Sequence, residues 1–379
     1  MEKFEKGLEG VIAAQSSICF IDGVKGDLLY RGYSIHDLAE HSTFEETCYL
    51  LFFGKLPTKK ELKEFSNKLK DNRELPKIVI KRMKTFPKNL PPMAVLRTVT
   101  SALSFNDEKA DDNSEEENIR KAINLIAKFP TIVSTYDNLR NDRKIMKPKR
   151  KLNHAANFLY MLTGNVPDEI SAKAIDLDLL LTAEHELNAS TFSALVTTST
   201  LSDIYSSVTS AVGTLKGVLH GGARRGVMET LLKIGSPDRV DSYLRDALAR
   251  KEKIMGFGHR VYKAMDPRAI EFRQFCKEFV EKKDGKKWFE MTERIENILL
   301  KNPTFIEKKL FPNVDFYPPV IYLTLGIPKD LADSIFAIAR TPGWCAHIME
   351  QLKDNRLIRP LAEYTGSKNL KYVKINSRK

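Results

Sequence analysis

Cysteine is scarce. Cys19, Cys48, Cys276 and Cys345 are the only four in 379 residues, and no two are spaced as a CxxC pair. That spacing argues against a zinc site or a disulfide framework and fits mostly reduced thiols in an intracellular protein. No apolar run approaches the ~18 consecutive residues of a membrane span, so no membrane partner is expected. The opening Met-Glu-Lys-Phe-Glu-Lys mixes both charge signs ahead of no apolar core, so no secretory or organellar presequence is expected, and the expected location is the cytoplasm. No GxGxxG follows a strand pattern, and GxxxxGK[ST] is absent, which excludes the two common nucleotide-phosphate fingerprints. No period of 20 to 50 residues marks a solenoid.

What is present is a 42% apolar chain, rich enough to bury a large core, with 61 Lys and Arg against 49 Asp and Glu. The length suits two domains, or one large domain with a smaller insertion. The net charge of +12 points to a polyanionic partner: nucleic acid, an acidic membrane surface or a small anionic substrate.

Residues 18–30 carry β-branched and aromatic residues around Asp22-Gly23 and Lys25-Gly26, which predicts a short hairpin. Beyond it helical spacing dominates. Ile170, Ala174, Leu177 and Leu181 recur at three and four residues behind Pro167 at a first turn, with His185 one turn further on the same face. Similar faces carry Trp288, Met291, Ile295 and Leu299, then Leu331, Ile335 and Ala339, then Trp344, Ile348 and Leu352. The predicted fold is all-α. Two charge runs interrupt it. The acidic run 106–121 reads as a solvated loop entering a helix whose first turn favours acids. The basic run 140–151, with seven Lys or Arg, reads as a solvated loop or as a phosphate contact.

Of seven histidines, two stand among glycines, where a ligand can approach the backbone. His220 precedes Gly221 and Gly222, and the apolar face Ala223, Val227, Met228, Leu231 and Leu232 places it at a helix start. The dipole there disfavours imidazolium, so His220 reads either as a neutral hydrogen-bond donor to a carbonyl gaining charge or as a helix cap. His259 lies between Gly256, Gly258 and the cations Arg260 and Lys263, a loop suited to a phosphate-bearing ligand. Asp315, among aromatic residues and prolines, reads as a carboxylate made more basic by desolvation or as a turn former. Arg268 after Asp266-Pro267, Arg340 before Thr341-Pro342-Gly343 and Arg359 before Pro360 stand at structural punctuation marks and can fork around planar carboxylates or serve as surface ion pairs.

Together these segments resemble citrate synthase over nearly the whole chain. The matching pieces are Ile21 to Gly23 with Tyr30 to Tyr33, His185 to Ser190, Leu219 to Ala223, Gly256 through Arg268, Asn313 to Asp315, and Arg359-Pro360. The compact length is similar to the archaeal and bacterial dimeric form. The resemblance implies a large helical domain, 1–221 and 327–379, with a smaller helical domain inserted at 222–326, paired as a homodimer. It further implies that Asp315 deprotonates acetyl-CoA, that His220 stabilises the enol, and that His259 donates to the forming alkoxide. His185, Arg268 and Arg340 would hold oxaloacetate, joined by Arg359 of the partner subunit. Lys253, Ile254, Met255, Gly256 and Phe257 would receive CoA, with Lys263 near its phosphates. No metal and no tightly bound cofactor is implied; acetyl-CoA is a co-substrate. 2-Methylcitrate synthase, which takes propionyl-CoA, is an alternative within the family. A basic helical nucleic-acid binder accounts for the charge but leaves the glycine-flanked histidines without a reason, and the chain has no nucleic-acid-binding signature. Gly217 and Gly222 are the expected hinge.

Overall fold

The computed structural model describes residues 4–378, so Met1, Glu2 and Lys3 of the opening hexapeptide lie outside the described residues. The expected hairpin is β1 (Cys19–Asp22) paired antiparallel with β2 (Asp27–Tyr30), Cys19 opposite Tyr30. Left-handed Arg31 and Gly32 then fold back a third short strand, β3 (Tyr33–Ser34).

Everything else regular among the described residues is helical. In chain order the helices are α1 (Ile35–His41), α2 (Phe44–Phe53), α3 (Lys59–Asp71), α4 (Lys77–Met83), α5 (Pro92–Leu103) and α6 (Glu115–Arg140). Then come α7 (His154–Thr163), α8 (Glu169–Thr182), α9 (Ala189–Ser199), α10 (Ile204–Leu215), α11 (Ala223–Ile234) and α12 (Val240–Ala249). The last are α13 (Pro267–Lys282), α14 (Lys286–Leu299), α15 (Pro303–Glu307), α16 (Pro318–Thr324) and α17 (Ala332–Lys353). Many starts are set locally by a side chain that accepts an orphan backbone N–H: Thr58 in a capping box with Glu61, then Asn153, Asp168, Asn188, Asp203 and Asp266. None of the helices among the described residues is long and apolar enough to cross a membrane.

Two helix readings are corrected. Pro167 lies before the Asp168 cap rather than in the first turn, and α8 stops at Thr182, so His185 is not on its face. It lies in the connection to α9, where Glu186 takes a left-handed φ of 52°. Arg340, Thr341 and Pro342 are no stop either, because α17 runs through them as one helix. An interior proline costs a helix about 3 kcal/mol. Here every residue from Ser334 to Met349 is buried, and α17 packs on α2, α5, α6, α8, α9, α10 and α11, so tertiary burial outweighs the local penalty. Gly343 makes this packing possible: a Cβ there would fall 2.2 Å from Glu184 Oε2 and 2.4 Å from the Ala183 carbonyl.

The acidic run is a loop entering α6, whose first turn holds Glu115, Glu116 and Glu117, although Lys121 at its end is buried with Nζ donating to the carbonyls of Ala110 and Asp112. The basic run leaves α6 at Arg140 and is tied down by ion pairs, Arg140 to Asp137 and Asp330, and Arg150 to Asp71 at 2.7 Å. All four cysteines are free.

Candidate active site

The loop before α13 is stitched to the loop before α16. Gly258 N–H donates to the Phe311 carbonyl (2.8 Å), Asn313 N–H to the Gly256 carbonyl (2.9 Å), and Asn313 Nδ2 to the Gly258 carbonyl (2.8 Å). Gly256, at φ +83°, leaves no room for a side chain, since a Cβ would lie 2.8 Å from the Phe316 ring. These bonds place His259 beside the loop of Asp315. The turn of the β1–β2 hairpin buttresses the same region, with Lys263 N–H donating to the Gly23 carbonyl at 2.7 Å.

His259, His185 and Tyr262 form one ring cluster, with His185 and His259 centroids 5.1 Å apart and His185 Nε2 3.2 Å from the Tyr262 hydroxyl. His259 Nδ1 accepts the backbone N–H groups of Val261 (3.0 Å) and Tyr262 (3.2 Å). A neutral imidazole accepting at Nδ1 carries its proton on Nε2. Burial, seconded by Arg268, pushes His259 down to about 4, and burial with Arg268, His259 and Arg340 holds His185 well below its usual range.

Two buried arginines close on these rings. Arg268 forks onto Asp266, Nε to Oδ1 at 3.0 Å and Nη2 to Oδ2 at 2.8 Å, while Asp266 Oδ2 also accepts Val314 N–H. Arg340 reaches from mid-α17, its Nε donating to the Thr182 carbonyl at 2.7 Å and its Cζ 4.9 Å from the Phe336 ring centre. Both are 1% exposed.

His220 lies in a turn closed by its own N–H to the Gly217 carbonyl, ahead of the Gly222 cap of α11. Its Nε2 is 2.8 Å from Ser190 Oγ. Burial first and Arg340 second push its imidazole down to about 4, the direction expected of a helix start. Asp315 leaves 14% of its side chain exposed. Burial raises it from the usual carboxylate range, against the pull of Arg224, whose Nε is 2.9 Å from Oδ1. Asp315, Arg268, Arg340, His185, His220 and His259 thus share one buried electrostatic neighbourhood.

The remaining candidates divide. Arg359 is exposed after α17, outside this neighbourhood within the chain. In the 253–257 segment Lys253 is exposed, Ile254 and Phe257 sink into the core, and Met255 is half-buried. The Lys263 side chain is exposed.

Sequence reading missed Arg224, Asp178, Tyr322, Ser190 and Trp344. Asp178 carried a signal, an acid inside the apolar stretch from Leu177 to Leu181 that must find a cation once buried. Ser190 lay at the end of the matched piece His185 to Ser190, with no role of its own read from it.

A family model described as "Citrate synthase, C-terminal domain" matches residues 7–361. The chain is 47% identical to citrate synthase 2 of Bacillus subtilis (strain 168), over 98% of this chain and 99% of that one. Among solved structures it is similar to citrate synthase from Thermotoga maritima MSB8, with 41% identity, a TM-score of 0.88 and 100% of both chains covered. It is also similar to the ternary complex of carboxymethyl coenzyme A and oxaloacetate with citrate synthase from Thermoplasma acidophilum, with 32% identity, a TM-score of 0.93 and 100% of both covered. A buried constellation of three histidines, two arginines and an aspartate, in a chain matched along its length, has one reading: the protein belongs to the citrate synthase family.

Proposed function

We propose that the protein condenses acetyl-CoA with oxaloacetate and hydrolyses the resulting citryl-CoA to citrate and free CoA. The observation that carries this is the convergence of Asp315, His220 and His259 around Arg268 and Arg340, two buried cations suited to a dicarboxylate. The Asp315 carboxylate, made more basic by burial, takes a proton from the acetyl methyl group. His220, neutral, hydrogen-bonds the thioester oxygen as it becomes an enol oxygen. The enol carbon then bonds to the keto carbon of oxaloacetate, and the alkoxide formed there receives a proton from His259, whose Nδ1 is already occupied so that Nε2 is the donor. Water cleaves the thioester, giving a carboxylate and the CoA thiol. Each step is proton transfer or carbonyl chemistry, with acetyl-CoA as co-substrate and no tightly bound cofactor.

An enol or citryl thioester open to solvent would be lost to water, so residues 222–326 are proposed to close as a smaller domain on the rest of the chain, hinging near Gly217 and Gly222. His185, Arg268 and Arg340 hold oxaloacetate within the chain. Arg359, exposed and apart from them, is proposed to reach the site of a second copy in a homodimer. Lys253 and Met255, with the backbone from Ile254 to Phe257 and with Lys263, are proposed to receive CoA. The proposed location is the cytoplasm.

Steady-state release of CoA from oxaloacetate, with acetyl-CoA and propionyl-CoA in parallel, tests the proposal. Turnover with acetyl-CoA at the higher kcat/KM is expected. No turnover with either thioester overturns it, and a higher kcat/KM with propionyl-CoA would make the protein a 2-methylcitrate synthase.

A further inference from the structure

Arg224, four residues after His220, is the buried cation of this neighbourhood that the proposed chemistry leaves unused. It is 0% exposed, and its guanidinium donates to four groups. Nε meets Asp315 Oδ1 (2.9 Å), Nη1 meets Asp178 Oδ1 (2.7 Å) and the Tyr322 hydroxyl (2.9 Å), and Nη2 meets Thr182 Oγ1 (2.7 Å). Tyr322 Oη in turn donates to Asp178 Oδ2. The guanidinium lies over the Phe336 ring, its Cζ 4.9 Å from the centre.

So placed, Arg224 is poorly suited to grip a substrate. Turning it toward a ligand would strip Asp178, itself 0% exposed, of its counter-charge, and breaking a buried pair from one side is strongly unfavourable. Its effect on Asp315 is different. The base is held at Oδ1 by Arg224 and at its backbone N–H by Asn313 Oδ1 (3.0 Å), and Oδ2 carries no hydrogen bond among the described residues. A carboxylate pinned at one oxygen presents the other in a fixed direction, and misplacement of a reacting group by about 1 Å costs about 100-fold in rate. The fork geometry matters, because a lysine ammonium is a point charge that cannot serve Asp315, Asp178 and Thr182 at fixed angles.

We propose that Arg224 is the positioning residue of the catalytic base: it aims Asp315 Oδ2 at the acyl methyl group and ties that aim to α8 through Asp178 and Thr182. The inference rests on the reading of Asp315 as the base. Asp178 and Thr182 lie in 1–221, whereas Arg224, Asp315 and Tyr322 lie in 222–326, so the aim of the base depends on how these two parts of the chain dock. The same arrangement limits what the arginine does to basicity. Asp315 faces Arg224 on α11, Arg268 and Asp266 at the start of α13, and Asp333 on α17, and Asp178 balances the Arg224 charge from behind.

The test uses the full chain and three variants: Arg224→Gln combined with Asp178→Asn, which does not leave the Asp178 charge buried without its partner, Arg224→Lys, and Thr182→Val. CoA release gives kcat, the oxaloacetate KM and the pH profile of kcat. In the double variant kcat is expected to fall about 100-fold while the oxaloacetate KM stays within about threefold. Its acidic limb should move up, because the guanidinium removed contacts Asp315 directly whereas the Asp178 carboxylate removed with it lies behind that guanidinium. A purely structural role would not move that limb. Arg224→Lys should restore the limb but only part of kcat, and Thr182→Val, which touches Arg224 and not Asp315, should lower kcat about threefold at constant KM. Wild-type kcat and an unmoved limb in the double variant, or a loss confined to the oxaloacetate KM, overturns the inference. If the double variant does not unfold cooperatively, Arg224→Lys decides: wild-type kcat overturns the inference, and about tenfold loss at unchanged KM supports it. Absence of turnover in the wild type would instead sink the proposed reaction itself.

Discussion

The Ser190 hydroxyl stands 2.8 Å from His220 Nε2, and it is already engaged on two other sides. Its Oγ lies 2.7 Å from Asn188 Oδ1 and accepts Trp344 Nε1–H (3.0 Å). A hydroxyl has one hydrogen and two lone pairs, so the choice between Asn188 and His220 as recipient of that hydrogen decides which nitrogen of the histidine carries its proton. Ser190→Ala removes this control. Since a hydrogen bond is worth about 1 kcal/mol net, kcat should fall about five- to tenfold with little change in oxaloacetate binding. Chemical denaturation should show about 1–3 kcal/mol of lost stability, because the Trp344 N–H is left buried and unpaired.

Asp315→Asn should keep the shape of the site while removing its base. A loss of general-base catalysis is worth about 10²–10⁴ in kcat. Calorimetric titration with oxaloacetate should give near wild-type affinity, since the base acts on the other substrate. A matching loss of oxaloacetate affinity would show that Asp315 binds rather than abstracts.

The histidines make two pH predictions. His220 and His259 are pushed to about 4, so both imidazoles are neutral from about pH 6 to 8 and kcat should show no step near the ordinary value of 6.5. Away from the site His154, 1% exposed against Phe44 and with neither ring nitrogen hydrogen-bonded, is pushed to about 3 by burial and by Arg73. Between pH 6.5 and that value the unfolded chain binds a proton there and the folded protein does not, so this residue costs stability as pH falls. Relative to wild type, His154→Phe should gain about 1.4 kcal/mol for each pH unit descended through that window, as read by urea unfolding. A difference independent of pH would mean that His154 titrates normally.

Gly343→Ala puts a methyl group against Glu184 Oε2 and the Ala183 carbonyl, where no space exists. Overpacking of this kind costs about 1–3 kcal/mol, measurable by thermal unfolding. Because Thr182 and His185 flank the displaced segment, the oxaloacetate KM should rise as well.

Arg359→Ala should weaken oxaloacetate binding, although Arg359 lies outside the site of its own chain. Dimers mixing one Arg359→Ala chain with one wild-type chain should lose one binding site of two. Two intact sites in such dimers would remove Arg359 from the binding apparatus.

Much of the molecule was legible in its residues, for local reasons. The hairpin follows from β-branched residues around Asp22 and Gly23, and the helix starts from caps such as Thr58 with Glu61. His220, His259 and Asp315 were conspicuous because glycine and proline around a titratable group are uncommon in a core. Legibility ended where long-range packing outweighed local preference. Pro342 reads as a stop and lies inside α17, because burial along that helix exceeds the cost of one proline. His185 reads as an extension of the α8 face and lies beyond it, because Asn188 begins a new helix.

The sequence alone determined the helical class and the ordered set of reactive groups, since spacing and composition carry that information along the chain, and its ordered motifs carried the resemblance to the family. Only the tertiary structure decided how those groups are charged and aimed. Arg224 and Asp315 are 91 residues apart, Ser190 and Trp344 154 apart, and Arg340 and Thr182 158 apart. Burial sets the protonation of each site histidine and hydrogen-bond direction sets its donor nitrogen, and both exist only once these distant segments share one desolvated space.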